Sequence, residues 1–127
     1  MRQQIDGAVV LTAAEQDVME YLPNRGVFFA QLLGKHRGDG FGFYKGKMDP
    51  GCEISRELHA DTTETIYILA GKALGIIGDR EVPLGPGQMM HVLGPGQMMH
   101  VEKNVHHGLR NAGAGPLEFL VIGHPDF

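Results

Sequence analysis

The chain has little of what marks secreted, membrane-bound or nucleic-acid-binding proteins. Its single cysteine, Cys52, cannot form an internal disulfide, which favours a reducing, cytoplasmic setting. No apolar run is long enough to cross a bilayer, and the first residues show no signal-peptide core. The net charge is −4, and the only basic cluster is the short Lys35-His36-Arg37. We therefore expect neither nucleic acid nor a membrane as a partner.

Turn-forming residues are abundant. The length of 127 residues predicts one domain, residues 1–127. The 19 glycines and 7 prolines indicate many tight turns between short strands, which predicts an all-β barrel or sandwich. The capping-box pattern of Thr12–Glu15 predicts a short helix over about residues 13–21, ended by Pro23. Besides a strand carrying Glu57 and His59, strands are predicted at Val27–Leu33, Phe41–Met48, Thr65–Leu69, Ala73–Ile77, Met98–Val101, Gly108–Asn111 and Leu117–Ile122.

Two polar clusters stand about forty residues apart. In the first, Glu57 and His59 are two residues apart, so in a strand they point the same way, and Glu64 opens a neighbouring strand. In the second, Glu102–Asn111, His107 lies on a later strand. Together these side chains can reach one point inside a β-barrel. Two imidazoles and two carboxylates suit divalent iron, manganese, nickel or zinc.

The spacing of these clusters resembles the two sequence motifs of the cupin superfamily. The first cupin motif has a glycine, five residues, His-x-His, three or four residues, Glu, six residues and a glycine. Between Gly51 and Gly71 every spacing fits, with Glu57 in place of the first histidine. The second motif keeps its histidine and asparagine, His107 and Asn111. The resemblance implies a jelly-roll barrel, also described as a double-stranded β-helix.

The second motif departs from the cupin pattern at two positions. Glu102 and Asn104 replace its proline and glycine, and asparagine tolerates the left-handed turn conformation that glycine usually serves. The resemblance implies one divalent metal ion with four ligand positions, and we carry them over to Glu57, His59, Glu64 and His107.

Glu57 leaves three interpretations open. It can be a fourth, oxygen-donating ligand, a general base beside a three-ligand metal, or a sign that tight metal binding is lost. A carboxylate in place of an imidazole hardens the site, which favours Fe(II), Mn(II) or Ni(II), while Zn(II) is also possible. His100, seven residues before His107, is a candidate hydrogen-bond donor to a metal ligand or a proton shuttle, with a solvent-facing position as the alternative. Strand alternation also directs Gln31 and Tyr44 towards the interior.

The strand before the first motif has one polar and one largely apolar face. Strict alternation places Glu53, Ser55, Glu57 and His59 on the polar face, which we expect to line the barrel interior. Ile54, Leu58 and Ala60 form the opposite face. We expect this apolar stripe to pack against a second sheet or a partner subunit, which suggests a homodimer.

A nine-residue segment occurs twice in direct succession, as Leu84–Val92 and Leu93–Val101. Two short copies do not make a repeat architecture. Because the second copy joins the second motif directly, we expect copy two in the barrel strand and copy one in an enlarged loop.

These observations predict a metal-dependent enzyme acting on a small oxygen-bearing metabolite. Its chemistry would be O₂-dependent, as in a dioxygenase, or that of a lyase or isomerase, with Glu57 and His100 as candidate proton-transfer residues. The alternative is a non-catalytic cupin that binds a sugar or small metabolite as a sensor or assembly module.

Overall fold

Twelve β-strands and no α-helix make up the described part of the chain. The computed structural model describes residues 2–11, 17–35, 38–78, 80–82 and 94–127, of which 2–5 and 80–82 are described by their backbone. No helix in these ranges is long and apolar enough to span a membrane. The strands are β1 Arg2–Ile5, β2 Ala8–Leu11, β3 Val18–Glu20, β4 Val27–Leu33, β5 Gly42–Met48, β6 Glu53–Glu57, β7 Thr63–Ala70, β8 Ala73–Ile77, β9 Arg80–Val82, β10 Met98–Val101, β11 His107–Asn111 and β12 Leu117–His124.

Two antiparallel sheets form the predicted jelly roll. One has six strands in the order β10-β7-β12-β5-β4-β3, and the other has four in the order β6-β11-β8-β9. Among the described strands, β1 and β2 pair only with each other. Alternate side chains of both sheets meet in one core, as the alternating burial along β7 and β12 shows. Each large apolar side chain buried there contributes roughly 1.5–3 kcal/mol. The largest fully buried side chains are Phe119, Met48, Ile66, Ile68, Leu109, Leu117 and Val27.

The helix predicted from the capping-box pattern is wrong over residues 17–21, the part of it that lies within the described residues. Val18–Glu20 is a strand that pairs with Phe28–Ala30 at the edge of the six-stranded sheet. The local pattern is overruled because β4 offers a free edge whose backbone groups need partners. The capping-box residues Thr12–Glu15 and position 16 of the predicted helix lie outside the described residues.

The predicted faces of this segment are correct for Glu57 and His59, which line the interior cavity. They are wrong for the first residues of β6, because a β-bulge interrupts the alternation. His107 pairs with Glu57 and Leu109 pairs with Ile54, so two residues of β6 stand opposite the single Gly108. Glu57 and Ile54 therefore both face the interior, and Ile54 is only 7% exposed. Glu53 and Ser55 are exposed instead.

The bulge removes the apolar outer stripe from which we expected a homodimer. Ile54 is in the core, so it cannot join Leu58 and Ala60 on an outer surface. Dimerisation stays a prediction, which sedimentation equilibrium at tens of micromolar tests.

The second copy of the duplicated segment supplies β10, as predicted. Met98–Val101 pairs with Glu64–Tyr67 of β7. The preceding Gly94–Gln97 turn continues this pairing, because Gly96 N–H donates to the Ile68 carbonyl at 3.0 Å and Ile68 N–H to the Gln97 carbonyl at 2.9 Å. The first copy, Leu84–Val92, lies outside the described residues.

Candidate metal centre

Three side chains meet between the two sheets, and each comes from a different element. Glu64 is the second residue of β7 and alternates with Ile66 and Ile68 on the buried face. His107 opens β11, and His59 lies in the segment just after β6. The two motif regions are joined directly, because the Asn104 N–H donates to the His59 carbonyl at 2.9 Å. Asn104 has φ 61°, the left-handed turn conformation expected at this motif position.

The imidazoles of both histidines face the same carboxylate. The His59 Nε2 atom lies 3.5 Å from Glu64 Oε1, and the His107 Nε2 atom lies 3.4 Å from Glu64 Oε2. Both Nε2 atoms are buried, and neither has a hydrogen-bond partner among the residues that the structure describes. Atoms bound to one ion at about 2.0–2.2 Å are at most about 4.4 Å apart, so both separations suit a shared metal. A divalent cation would satisfy the two buried nitrogens, and these residues fit such an ion.

The backbone fixes which nitrogen of His107 is available. His107 Nδ1 lies 2.8 Å from the Val105 carbonyl oxygen, which can only accept a hydrogen bond. Nδ1 therefore carries the proton in the neutral ring, and the Nε2 lone pair points to Glu64. Such a second hydrogen bond is what metal-binding histidines usually make, because it fixes the ring's tautomer and orientation.

Glu64 and His107 shift each other's protonation in opposite directions. Burial alone would raise the pKa of Glu64, but the imidazoles of His107 and His59 outweigh it and lower the pKa. Burial alone would lower the pKa of His107, but Glu64 and the Val105 carbonyl outweigh it and raise the pKa. The site is thus built around a carboxylate charge that attracts a cation, either a proton on His107 or a metal ion.

Glu57 lies at the edge of this group and has a different partner. The Tyr21 hydroxyl donates a short hydrogen bond to Glu57 Oε2. Burial, and next the hydrogen bond to Glu57, raise the pKa of Tyr21, so the phenol keeps its proton. The other oxygen, Glu57 Oε1, lies 3.9 Å from His59 Nε2. The compact ligand group is therefore His59, Glu64 and His107, whose ligand atoms lie within 4.8 Å of one another.

The structure does not bring His100 to this site. Met99 and Val101 are buried, so the alternation of β10 directs His100 to the outer face of the sheet. There His100 Nδ1 lies 2.7 Å from the Thr65 hydroxyl and Nε2 lies 3.6 Å from Glu102. Of its two interpretations, this placement agrees with the solvent-facing one.

A mostly apolar cavity of about 220 Å³ opens beside the three ligand residues. Tyr44 lines it as expected, whereas Gln31 does not line it and donates to the Tyr44 hydroxyl at 3.1 Å. Tyr21, Phe29 and Phe127 were not predicted as cavity residues, because no motif spacing connects them to the two clusters. The described residues that line the cavity are Tyr21, Phe29, Tyr44, Ile54, Glu57, His59, Glu64, Val121 and Phe127.

This jelly roll, with two histidines and a glutamate at its centre, is the architecture of a cupin. The chain belongs to the cupin domain family, whose model matches residues 44–123. That range contains all three ligand residues. No curated protein sequence matches the chain.

Solved structures of similar fold include proteins with different described activities. A predicted oxalate decarboxylase from Thermotoga maritima is 23% identical, with 91% of this chain and 98% of that chain covered and a TM-score of 0.77. A sugar phosphate isomerase of the cupin superfamily from Silicibacter pomeroyi is 20% identical, with 91% of this chain and 74% of that chain covered and a TM-score of 0.70. The Fe(II) form of HppE is 16% identical, with 97% of this chain and 64% of that chain covered and a TM-score of 0.72. At these identities the similarity supports the shared fold alone.

Proposed function

We propose that the chain is a metal-dependent cupin enzyme acting on a small oxygen-bearing metabolite. His59, Glu64 and His107 would hold one divalent ion, and the adjoining cavity would hold the substrate. The observation that carries this proposal is the pair of buried Nε2 atoms that have no hydrogen-bond partner in the described part of the chain, both directed at one buried carboxylate. A buried polar atom normally has a partner, and a cation is the partner that this arrangement lacks.

Two nitrogens and one carboxylate oxygen indicate which ions fit. This set is the 2-His-1-carboxylate face that non-haem Fe(II) uses, and it also accepts Mn(II), Ni(II) and Zn(II). When bound, the ion would act as a Lewis acid towards a substrate oxygen or bind O₂. The chemistry is therefore an O₂-dependent oxidation or a lyase or isomerase step.

The protein itself contributes a mostly apolar cavity with an oriented carboxylate. Glu57, held by Tyr21, stands beside the ligand group and faces the cavity, where it can contact a bound substrate. The mostly apolar walls offer a substrate less polar surroundings than water, which would strengthen its electrostatic interactions with the charged groups.

Elemental analysis of the purified protein and of two variants tests the metal site. We expect about one equivalent of metal in the wild type and less than half of that in His59→Ala and in His107→Ala, because each loses one of three ligands. His100→Ala is the matched control, since it removes an exposed histidine from the other face of β10 and should keep full metal. Full metal content in both ligand variants, with unchanged circular dichroism, would refute the site.

A non-catalytic cupin that binds a sugar or small metabolite remains a second candidate. It is favoured by Glu57, which stands at a ligand position of the cupin motif but has one oxygen engaged by Tyr21. Protein purified without chelator that contains no metal, yet is folded, would support this candidate over the enzyme.

A further inference from the structure

The walls of the cavity beside the metal site are formed by a connected series of aromatic rings. Tyr21 packs edge-on against Phe29 at 5.3 Å between centroids, and Phe29 against Tyr44 at 6.2 Å. Tyr44 contacts Phe127 at 5.9 Å, and Phe127 packs edge-on against His59 at 4.8 Å. The series begins at Tyr21, the partner of Glu57, and ends at the candidate ligand His59. A molecule in the cavity would therefore contact ring faces and edges on several sides.

The hydroxyl groups of both cavity tyrosines already have partners. The Tyr21 hydroxyl donates to Glu57, and the Tyr44 hydroxyl donates to Asp126 Oδ1 at 2.5 Å. Tyr44 also accepts a hydrogen bond from Gln31. The walls therefore have few free donors for a ligand with many hydroxyl groups, and each hydroxyl buried without a partner would weaken binding.

The charges at the cavity oppose a multiply charged anion. Of the described residues that line it, none is a lysine or arginine, while Glu57 and Glu64 are carboxylates. These two charges balance those of one divalent ion. A dianion bound there would leave uncompensated negative charge in a largely apolar cavity, which is costly.

The size of the cavity limits the ligand further. Its volume of about 220 Å³ is below the roughly 300–1,000 Å³ of sites for drug-sized molecules. One ring or a short conjugated chain is the scale that fits.

We infer that the substrate is a small, flat and mainly apolar molecule. It directs an oxygen-bearing group with at most one negative charge towards the metal, and its apolar body lies among the aromatic rings. Dicarboxylates and phosphorylated sugars, the classes suggested by the names of two structures of similar fold, do not suit this cavity. This inference rests on the proposed metal function and narrows its substrate class.

Calorimetric titration of the zinc-loaded protein with three probes tests this inference. Catechol is a single ring with adjacent oxygens, oxalate is a dianion without an apolar body, and glucose 6-phosphate is a phosphorylated sugar. We expect catechol to bind at least tenfold more tightly than the other two. Equal or tighter binding of oxalate or glucose 6-phosphate, or no detectable binding of catechol, would overturn the inference.

Variants of the aromatic walls provide a second measurement. Phe127→Leu and Phe29→Leu each remove one ring and keep an apolar side chain, so we expect catechol affinity to fall by about 2- to 13-fold with metal content unchanged. Tyr67→Leu is the control, because Tyr67 is on the outer face of β7 and 41% exposed. Unchanged catechol affinity in both wall variants would show that the rings do not hold the ligand.

Metal analysis of the same samples separates this inference from the proposed function. A protein that takes up no zinc refutes the metal site, and the inference falls with it. A protein with full zinc that prefers oxalate or the sugar phosphate refutes only the substrate class.

Discussion

At the scale of single residues, Glu57 decides how the site differs from the usual cupin pattern. Its carboxylate faces the cavity, with one oxygen bonded to Tyr21 and the other 3.9 Å from His59 Nε2. We predict that Glu57→His adds an imidazole at the edge of the ligand group and raises affinity for zinc about tenfold relative to manganese, because nitrogen ligands favour zinc. Competition titrations with the two metals measure this ratio.

A matched substitution on the same strand controls for the change of charge. Glu53 is exposed and pairs with Arg110 on the outer side of β6. Glu53→His should therefore leave the zinc-to-manganese ratio as in the wild type. If Glu57→His behaves like Glu53→His, residue 57 does not reach the metal.

Motif spacing was enough to bring three candidate ligands together, but not to find their neighbours. Glu64 and His107 are positioned by the register of β7 and β11, which follows from the hydrophobic pattern and the turns of the local sequence, and His59 lies two residues after the end of β6. Tyr21 reaches Glu57 from 36 positions away. It lies in a segment where the local helix pattern was misleading, and no spacing rule links it to the first motif. Long-range pairs of this kind depend on how the sheets pack.

At the scale of secondary-structure elements, the bulge in β6 determines which side chains enter the cavity. Gly108 lies opposite the bulge, and a Cβ atom there would stand 2.6 Å from the Ile54 carbonyl oxygen. That contact is with the backbone, so a larger residue must push β6 away from β11. We predict that Gly108→Ala lowers the free energy of unfolding by about 1–3 kcal/mol, a typical cost of overpacking. Urea denaturation measures the change.

A second expectation for Gly108→Ala concerns the metal, because Glu57 and the adjoining His59 would move with β6. Metal content should fall together with stability. Gly40→Ala is the control, since a Cβ atom at Gly40 meets nothing within 4 Å. Equal stability of the two variants would mean that the strands tolerate the extra methyl group and that the bulge does not depend on glycine.

Most elements could be predicted from their residues, and the errors have physical causes. The strands at Val27–Leu33, Ala73–Ile77 and Met98–Val101 are found with the predicted bounds, because apolar runs are bounded there by glycine, proline or polar turns. The faces predicted for Glu53, Ile54 and Ser55 were wrong because simple alternation assumes that the two strands pair without interruption. A bulge shifts the pattern by one residue and depends on the partner strand, here on the glycine at position 108.

At the scale of the whole molecule, the duplicated segment tests how much of the chain the cupin fold requires. The second copy forms β10 and pairs with the strand that carries Glu64, so one copy is sufficient for this part of the sheet. The connection from Val82 to Met98 contains both the first copy and the turn before β10. Since deletion of Leu84–Val92 removes nothing from the described strands, we predict that fold and metal content are kept.

Deletion of Leu84–Val92 should raise the free energy of unfolding slightly. The deletion shortens the connection between β9 and β10 from fifteen residues to six, and loop-closure entropy then favours the shorter chain by less than about 1 kcal/mol. Thermal unfolding of the deletion variant beside the wild type measures this difference, and elemental analysis follows the metal. A deletion variant that is unfolded, or folded without metal, would show that β9 and β10 need the longer connection to reach their places in different sheets.

Point substitution distinguishes the two copies where deletion cannot, because removing either one produces the same sequence. Met99→Asp places a charge in the core position that β10 supplies and should unfold the protein, whereas Met90→Asp, at the matching position of the first copy, should leave the sheet intact.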